Sequence, residues 1–390
     1  MKPNTNLHVT LPLDVPHLTT LCYIEQDDKY LMLHRVKKEN DLNHDKWIGI
    51  GGHFKTGESP EDCLLREVKE ETGLKLSSFR YRGIVTFYTI ENGGIKDYEL
   101  MSLFTADYPV EECSTKVEPL CNGISDTGVT CLNSENSSKN PLPDCPEGTL
   151  EWVNKKDVYN LNLWEGDKIF FHLLETRDEF FSLKLVYEKD TLVKAELDGK
   201  SLELLDLINE DGTPTGIVQE RNLSHYLGTL HATVHMWIVK KTEDGICLLL
   251  QKRSDHKDSH PGEYDISSAG HISHEDHPKV GKLPIKAACR EIGEELGLSI
   301  TEGDLTYIGT TRKQSHNVFY GQPFNDNQLS YVFIINKDVN EADLTLQAEE
   351  ISAVKWFPLD YCIEHAVDKD EFPNCLNVKE LEMVREALEK

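Results

Sequence analysis

The chain has 390 residues, 41 Lys and Arg against 68 Asp and Glu, a formal net charge of −27 and a mean hydropathy of −0.46. So acidic a balance sets the chain against nucleic acid polymers and anionic membranes, and an anionic substrate would need imported positive charge, most simply a divalent cation. No window holds the ~18 apolar residues of a membrane span, the start Met1-Lys-Pro-Asn-Thr-Asn-Leu-His8 lacks the apolar run of a secretory signal, and ten cysteines occur without any C-x-x-C. These features predict a cytoplasmic protein with reduced thiols and more than one domain.

In chain order, Leu18 to Ile24 and Tyr30 to His34 are apolar runs of strand length around the polar turn Gln26-Asp27-Asp28. A helix is predicted from Ser59, with Ser as N-cap, Pro60 at its first position, Asp62 as the capping-box acid and Gly73 as its stop. Leu64 and Val68 lie four apart on its core face. Phe79 to Tyr88 and Leu100 to Ala106 read as strands. Residues 108–146 lose periodicity and read as a loop insertion, with Cys113, Cys121, Cys131 and Cys145 as inert thiols in a mobile loop. Leu192 to Lys200 closes one domain, and Leu202 to Ile208 opens the next, followed by the turn Asn209-Glu-Asp-Gly212.

The chain then repeats itself. Tyr30-Leu-Met-Leu-His-Arg35 recurs in kind as Cys247-Leu-Leu-Leu-Gln-Lys-Arg253, and Gly52-His53 recurs as Gly270-His271. Arg66-Glu-Val-Lys-Glu-Glu-Thr-Gly-Leu74 recurs as Arg290-Glu-Ile-Gly-Glu-Glu-Leu-Gly-Leu298. The offset is 218 at the Gly-His pair and 224 at the Arg-Glu run, so the later copy has six extra residues between them. In that copy Pro284 opens the helix, Ala288 and Ile292 pack, Cys289 sits beside them, and Gly297 ends it. Two diverged copies of one domain are predicted, over 1–201 and 202–390, each with a mixed sheet and few helices: an α+β fold.

Glu67, Glu70 and Glu71 stand at i, i+3 and i+4 and share one helix face. Like charges so placed cost ~0.2–0.5 kcal/mol per pair, which a hard cation would relieve. A charge run is usually just a solvated face, and Arg66 beside Glu67 an ordinary surface pair. The spacing argues otherwise. Gly52, five residues, Glu58, seven residues and then Arg66-Glu67-x-x-Glu70-Glu71-x-Gly73 match the whole Nudix box, a coincidence of about 10⁻⁸ per start position.

The first domain is thereby identified as resembling Nudix hydrolases. The resemblance implies an α/β/α sandwich and Mg²⁺-dependent hydrolysis of phosphoanhydride bonds, Mn²⁺ serving in its place. It assigns metal binding to Gly52, Glu58, Glu67, Glu70 and Glu71, and catalysis to Arg66 and Glu67, with Glu99 a second candidate base. Water attacks phosphorus in line while a carboxylate takes its proton. Arg35 is a candidate phosphate contact. The segment Glu151-Trp-Val153 with Leu161-Asn-Leu-Trp164-Glu-Gly-Asp167 resembles the 8-oxo-dGTP diphosphatase branch. That likeness implies stacking of a purine on Trp164 and bonding of its edge by Asp167, although Ile48 stands where some members read the base with Asn.

In the second domain Arg290, Glu291, Glu294 and Glu295 keep their places, with Arg290 and Glu291 as catalytic candidates and Glu291, Glu294 and Glu295 as metal ligands, while Asp276 replaces the leading Glu. Its flanks, Asp206 to Gly212, Gly216, Arg221, His225, His231, Trp237 and Tyr264 to His271, resemble the isopentenyl-diphosphate isomerase-like branch, and the likeness implies a metal held by His225, His231 and His271. Isomerisation needs a Cys before the Gly-His pair, and Ala269 occupies that place; the later catalytic Glu segment reads Asn325-Asp-Asn-Gln328. The expectation is a hydrolase of some other diphosphate, with an isomerase-like enzyme or a ligand sensor beside one active domain as the alternatives. The partners expected are nucleotides or other small diphosphates, with no polymer and no membrane.

Overall fold

The computed structural model of the chain describes residues 15–37, 42–109, 144–257 and 259–389. It divides into two compact units, one ending at Leu185 and including Leu197–Gly199, the other made of Val186–Glu196 and the chain from Lys200 onward. Cys113, Cys121 and Cys131 lie outside the described residues. Cys145 departs from the mobile loop expected of it. Its free thiol is buried in the first core, where a bridge to Gly148 fixes the backbone.

The first unit runs β1 (His17–Gln26), β2 (Lys29–His34), β3 (Trp47–Ile48), β4 (Ile50–His53), α1 (Pro60–Thr72), β5 (Phe79–Glu91), β6 (Gly94–Asp107), β7 (Thr149–Asn154), α2 (Glu165–Thr176) and β8 (Phe181–Glu188). Among these strands the sheet order is β8-β5-β6-β1-β2-β3, with β4 also on β1 and β7 on β2. β1 lies parallel to β6 and antiparallel to β2 and β4, so the sheet is mixed. Alternation along β1 sends Cys22 and Ile24 into the core that Leu64 and Val68 of α1 complete. Tyr23 points the other way, against Phe170 and Phe171 of α2. Helix, sheet and helix form three layers.

α1 forms where its caps demand. Ser59 and Asp62 complete a reciprocal capping box, and Gly73 ends the helix at φ 71°, a left-handed conformation that glycine adopts without strain. The buried positions Leu64, Val68 and Glu71 follow the helical period, so the face that docks α1 also carries a carboxylate inward.

The second unit continues with β9 (Thr191–Leu197), β10 (Lys200–Ser201), β11 (Leu204–Ile208), β12 (Pro214–Glu220), α3 (Arg221–Leu227), β13 (His231–Thr242), β14 (Gly245–Arg253), β15 (Tyr264–Asp265), β16 (Ser268–His271), α4 (Ile285–Leu296), β17 (Thr306–Phe319), β18 (Gln322–Asn336), β19 (Ile351–Pro358), α5 (Leu359–His365) and α6 (Val378–Glu389). β13 is parallel to β18 and antiparallel to β14 and β16. Ala232, Val234, Met236 and Ile238 pack with α4, whereas Trp237 and Val239 pack with α5 and α6. Register makes the copies comparable residue by residue. Thr19 faces His53 as Thr233 faces His271, and Leu21 faces Gly51 as His235 faces Ala269.

Candidate active site

β4 and α1 meet through the absence of side chains. A Cβ on Gly51 would lie 2.0 Å from the carbonyl oxygen of Thr20, and one on Gly52 would lie 2.7 Å from the Glu67 carboxylate. Arg66 then ties the acidic groups together. Its Nε donates to Glu58 Oε1 at 2.6 Å, one terminal nitrogen to Glu58 Oε2 at 2.8 Å and to the His53 carbonyl at 3.0 Å, and the other to Glu67 and, at 3.3 Å, to Glu70. The Arg66 bonds hold the Glu58 carboxyl down at about 2, and Lys55 lowers that of Glu70. Glu71 is the opposite case. It is buried, receives the Gly51 N–H at 3.3 Å, and is pushed up to about 8 by burial and then by the charge of Glu147. Oxygen donors crowded around a buried carboxyl that resists ionising suit a hard divalent cation, with Glu58, Glu67, Glu70, Glu71 and the Gly52 carbonyl as the available donors.

Glu147 is a residue that sequence reasoning missed. It lies just before β7, paired with Arg35 at 2.5 Å, which places Arg35 beside the carboxylates as well. Glu99, on β6, is half-buried and accepts a hydrogen bond from the Thr19 hydroxyl. Its charge acts on Asp167, in the first turn of α2, where burial first and then Glu99 push the carboxyl up to about 8 against the pull of Lys46. Trp164 is the N-cap of α2. Its indole N–H donates to Asn43 at 2.8 Å, its ring is 7% exposed, and Lys46 Nζ sits 4.8 Å from the ring centroid. A base stacking on Trp164 would therefore take the place of Lys46.

The second unit reproduces this frame. Arg290 Nε donates to Asp276 at 2.6 Å, and the other nitrogens reach Glu291 at 2.8 Å, Glu294 at 2.9 Å and the His271 carbonyl at 3.2 Å. Asp276 does the work of Glu58: burial raises its carboxyl, but Lys286 and Arg290 outweigh that and hold it low. A Cβ on Gly270 would lie 1.9 Å from the Glu291 carboxyl carbon. The Ala269 N–H meets Glu295 at 3.2 Å as that of Gly51 meets Glu71. Burial pushes Glu295 up to about 8 and Glu291 to about 7, with the charge of Glu203 adding to the latter. Glu203, on the segment before β11, and Glu350, just before β19, were not singled out from sequence. Glu350 pairs with Lys257 and sits one residue before its strand, matching Glu147 before β7.

His225, His231 and His271 come together, with ligand atoms within 4.8 Å of one another. Burial lowers all three, His225 to about 4, so each is neutral at pH 7. Arg221 Nε donates to His271 Nδ1 at 3.3 Å, so His271 Nε2 carries the proton shared with His225 Nε2 at 3.2 Å. His231 gives Nδ1–H to the Thr229 carbonyl, and its buried Nε2 is without a hydrogen bond. A cation would replace the shared proton and use that orphaned lone pair. The cluster fits a metal. Among the described residues no helix is long and apolar enough to cross a membrane.

Comparison with known proteins places these features in context. The family described as NUDIX domain matches residues 15–174 and 229–373. Nudix hydrolase 3 of Arabidopsis thaliana is 39% identical over 161 residues, 40% of this chain, and the chain spans about a fifth (19%) of that relative's length. The oxidized purine nucleoside triphosphate hydrolase of Mus musculus is 22% identical over 47% of this chain and 96% of its own. An isopentenyl-diphosphate Delta-isomerase of Aliivibrio fischeri is 26% identical over 40% of this chain and 80% of its own.

Proposed function

The chain belongs to the Nudix family, and on that premise we propose that it is a pyrophosphohydrolase acting on acid anhydrides with two Mg²⁺-dependent sites, one in each copy. The carrying observation is the duplicated frame, in which one arginine ties a leading acid, a helix glutamate and a strand carbonyl in both units. Mg²⁺, or Mn²⁺, bound to Glu67, Glu70, Glu71, Glu58 and the Gly52 carbonyl supplies charge neutralisation and polarisation of the phosphoryl oxygen. Arg66 fixes Glu67 as acceptor for the proton of the attacking water. Arg35 offers the chain's own positive charge to the phosphates.

The substrate proposed for the first site is a purine nucleoside triphosphate of the oxidised, 8-oxo-dGTP type. Trp164 offers a stacking surface worth about 1–3 kcal/mol per base. Asp167, neutral at pH 7, offers an O–H to an acceptor on the purine edge. The name of the mouse relative supports this assignment. For the second site we propose hydrolysis of a different organic diphosphate by Arg290, Glu291, Glu294 and Glu295, with a further metal at His225, His231 and His271. Ala269 has no proton to exchange with carbon, which separates this site from isomerase chemistry.

The test is Mg²⁺-dependent release of pyrophosphate from 8-oxo-dGTP by wild type, Glu71→Gln and Glu295→Gln. Loss with Glu71→Gln alone is expected, and an inactive wild type would remove the roles of Trp164 and Asp167. Equilibrium dialysis against Mn²⁺ or Zn²⁺ is expected to show one metal equivalent fewer for His231→Ala than for wild type. Equal stoichiometry would remove the histidine site.

A further inference from the structure

On one face of the second sheet the buried polar groups satisfy each other. Glu380 of α6 lies 3.0 Å from His235 Nδ1 and accepts from Trp237 Nε1 at 2.8 Å and from Thr311 Oγ1 at 3.1 Å. The face toward α4 is built differently. Between the turn after β11 and the segment that joins β16 to α4 lies a cavity of about 360 Å³, floored by Ala232, Ile272 and Tyr331. Neither Arg290 nor the glutamates of α4 line it. A volume of this size suits a small molecule. The wall from His277 to Leu283 lies in the interval where the second copy carries its six extra residues. On the other side Gly212 turns at φ 81°, and a Cβ there would come within 3.1 Å of the Tyr331 hydroxyl, so the turn closes on that ring as glycine.

The polar groups of the wall are only partly used. Asp206 Oδ2 lies 2.9 Å from His274 Nδ1 and 3.6 Å from His277 Nδ1, which is buried without a hydrogen bond. Burial keeps the His277 ring neutral at pH 7, with its proton on Nδ1 toward the carboxylate and a lone pair on Nε2, the ring's open edge. The Asp211 carboxylate accepts from the Thr213 N–H at 2.9 Å and its hydroxyl at 2.6 Å and keeps further lone pairs. Lys286 is paired with Asp276 at 2.7 Å, but the ammonium groups of Lys279 and Lys282 have no partner among the described residues. In a chain of net charge −27, two unpaired cations on one cavity wall stand out as an anion's partners.

We propose that this cavity is a second ligand site of the later copy, separate from its carboxylate frame, and that it takes a nucleoside monophosphate. The phosphate meets Lys279 and Lys282, the base lies against Tyr331 and Ile272, and donors on base or ribose reach His277 Nε2 and Asp211. Inorganic phosphate would leave the apolar floor wet, and an uncharged nucleoside would leave both lysines unpaired. The same segment carries Asp276, beside His277, which holds Arg290 at 2.6 Å, so the cavity and the frame share one stretch of chain.

The experiment uses the full chain carrying Glu71→Gln and Glu295→Gln in EDTA, so that neither carboxylate frame holds metal and the result is independent of the hydrolase reading. AMP, GMP, adenosine and inorganic phosphate are titrated by calorimetry, and hydrogen exchange is followed by mass spectrometry. At least one of the two nucleotides is expected to bind at least tenfold more tightly than adenosine and phosphate, and to slow exchange in peptides covering 209–214 and 272–283. Lys279→Glu/Lys282→Glu is expected to weaken that nucleotide at least tenfold and to remove the protection at an unchanged melting temperature, since neither lysine has a partner to lose. Phosphate or adenosine binding as tightly as the nucleotides overturns the ligand class. Protection confined to 47–72 or 285–297, a Kd within twofold of the parent in the lysine variant, or no binding of either nucleotide at millimolar concentration overturns the site.

Discussion

Removing metal from the first site should make the unit's stability depend on pH through Glu71, and Glu71→Gln should abolish that dependence. The carboxyl is 8% exposed and raised from 4.5 to about 8, by burial first and by Glu147 second. A folded-state value above the unfolded one means that the folded chain keeps a proton the unfolded chain gives up. The stabilising contribution is therefore complete below about pH 4.5, falls between 4.5 and 8 by at most ~1.4 kcal/mol per pH unit, and is gone above 8. The limiting loss is about 5 kcal/mol, and water entering a metal-free cleft reduces it to about 2 kcal/mol. At 2–4 °C per kcal/mol for a unit of this size, the glutamine variant in EDTA should melt about 4–8 °C above wild type at pH 8, and at the same temperature near pH 4.5. Added Mg²⁺ should reverse the order, since saturating ligand at a hundred times Kd is worth about 2.7 kcal/mol to the protein that binds it. Melting curves of the two proteins that run parallel at every pH in EDTA would refute the reasoning.

Other outcomes follow from the same geometry. Gly270→Ala and Gly52→Ala place a methyl carbon against Glu291 and Glu67, and each should cost its own site at least a hundredfold in kcat while the other site keeps its rate. Arg66→Lys retains the charge but not the fork that spans Glu58, Glu67 and the His53 carbonyl, so a ten- to hundredfold fall in kcat/KM is expected, and an unchanged value would mean that charge alone suffices. Trp164→Phe should raise KM for a purine triphosphate several-fold with little change in kcat, read from initial rates.

The box was legible because its spacing is local. Glu58, Arg66, Glu67, Glu70 and Glu71 lie within fourteen residues, and a helix of known period brings the last three glutamates to one face. Even the substitution of Asp276 for glutamate could be read, since the acid still reaches Arg290 across the longer loop. Glu147, Glu203, Glu350 and Glu380 were not legible. Each reaches its site through tertiary structure: Glu147 from beyond the insertion, Glu350 from the residue before a late strand, Glu380 from a helix that carries no motif. The signal available for the first and third was comparison of the copies, because Glu147 precedes the strand that pairs with β2 and Glu350 the strand that pairs with β14, its counterpart. His235 was hidden for another reason. Between two apolar neighbours in a strand a histidine looks like packing, and its bond to Glu380 of α6 comes from a helix more than a hundred residues away.

Glu380 also sets an order of assembly during synthesis. Every group placed in the first site has left the ribosome once α2 has emerged, whereas the core of the second copy waits for α6, about two hundred residues and some 10–40 s later at ordinary translation rates. Through that interval His235 and Trp237 lack the carboxylate that binds them. A nascent chain therefore passes through a stage in which every group of the first carboxylate frame is already present while the second copy still presents an open, unpaired sheet face to chaperones.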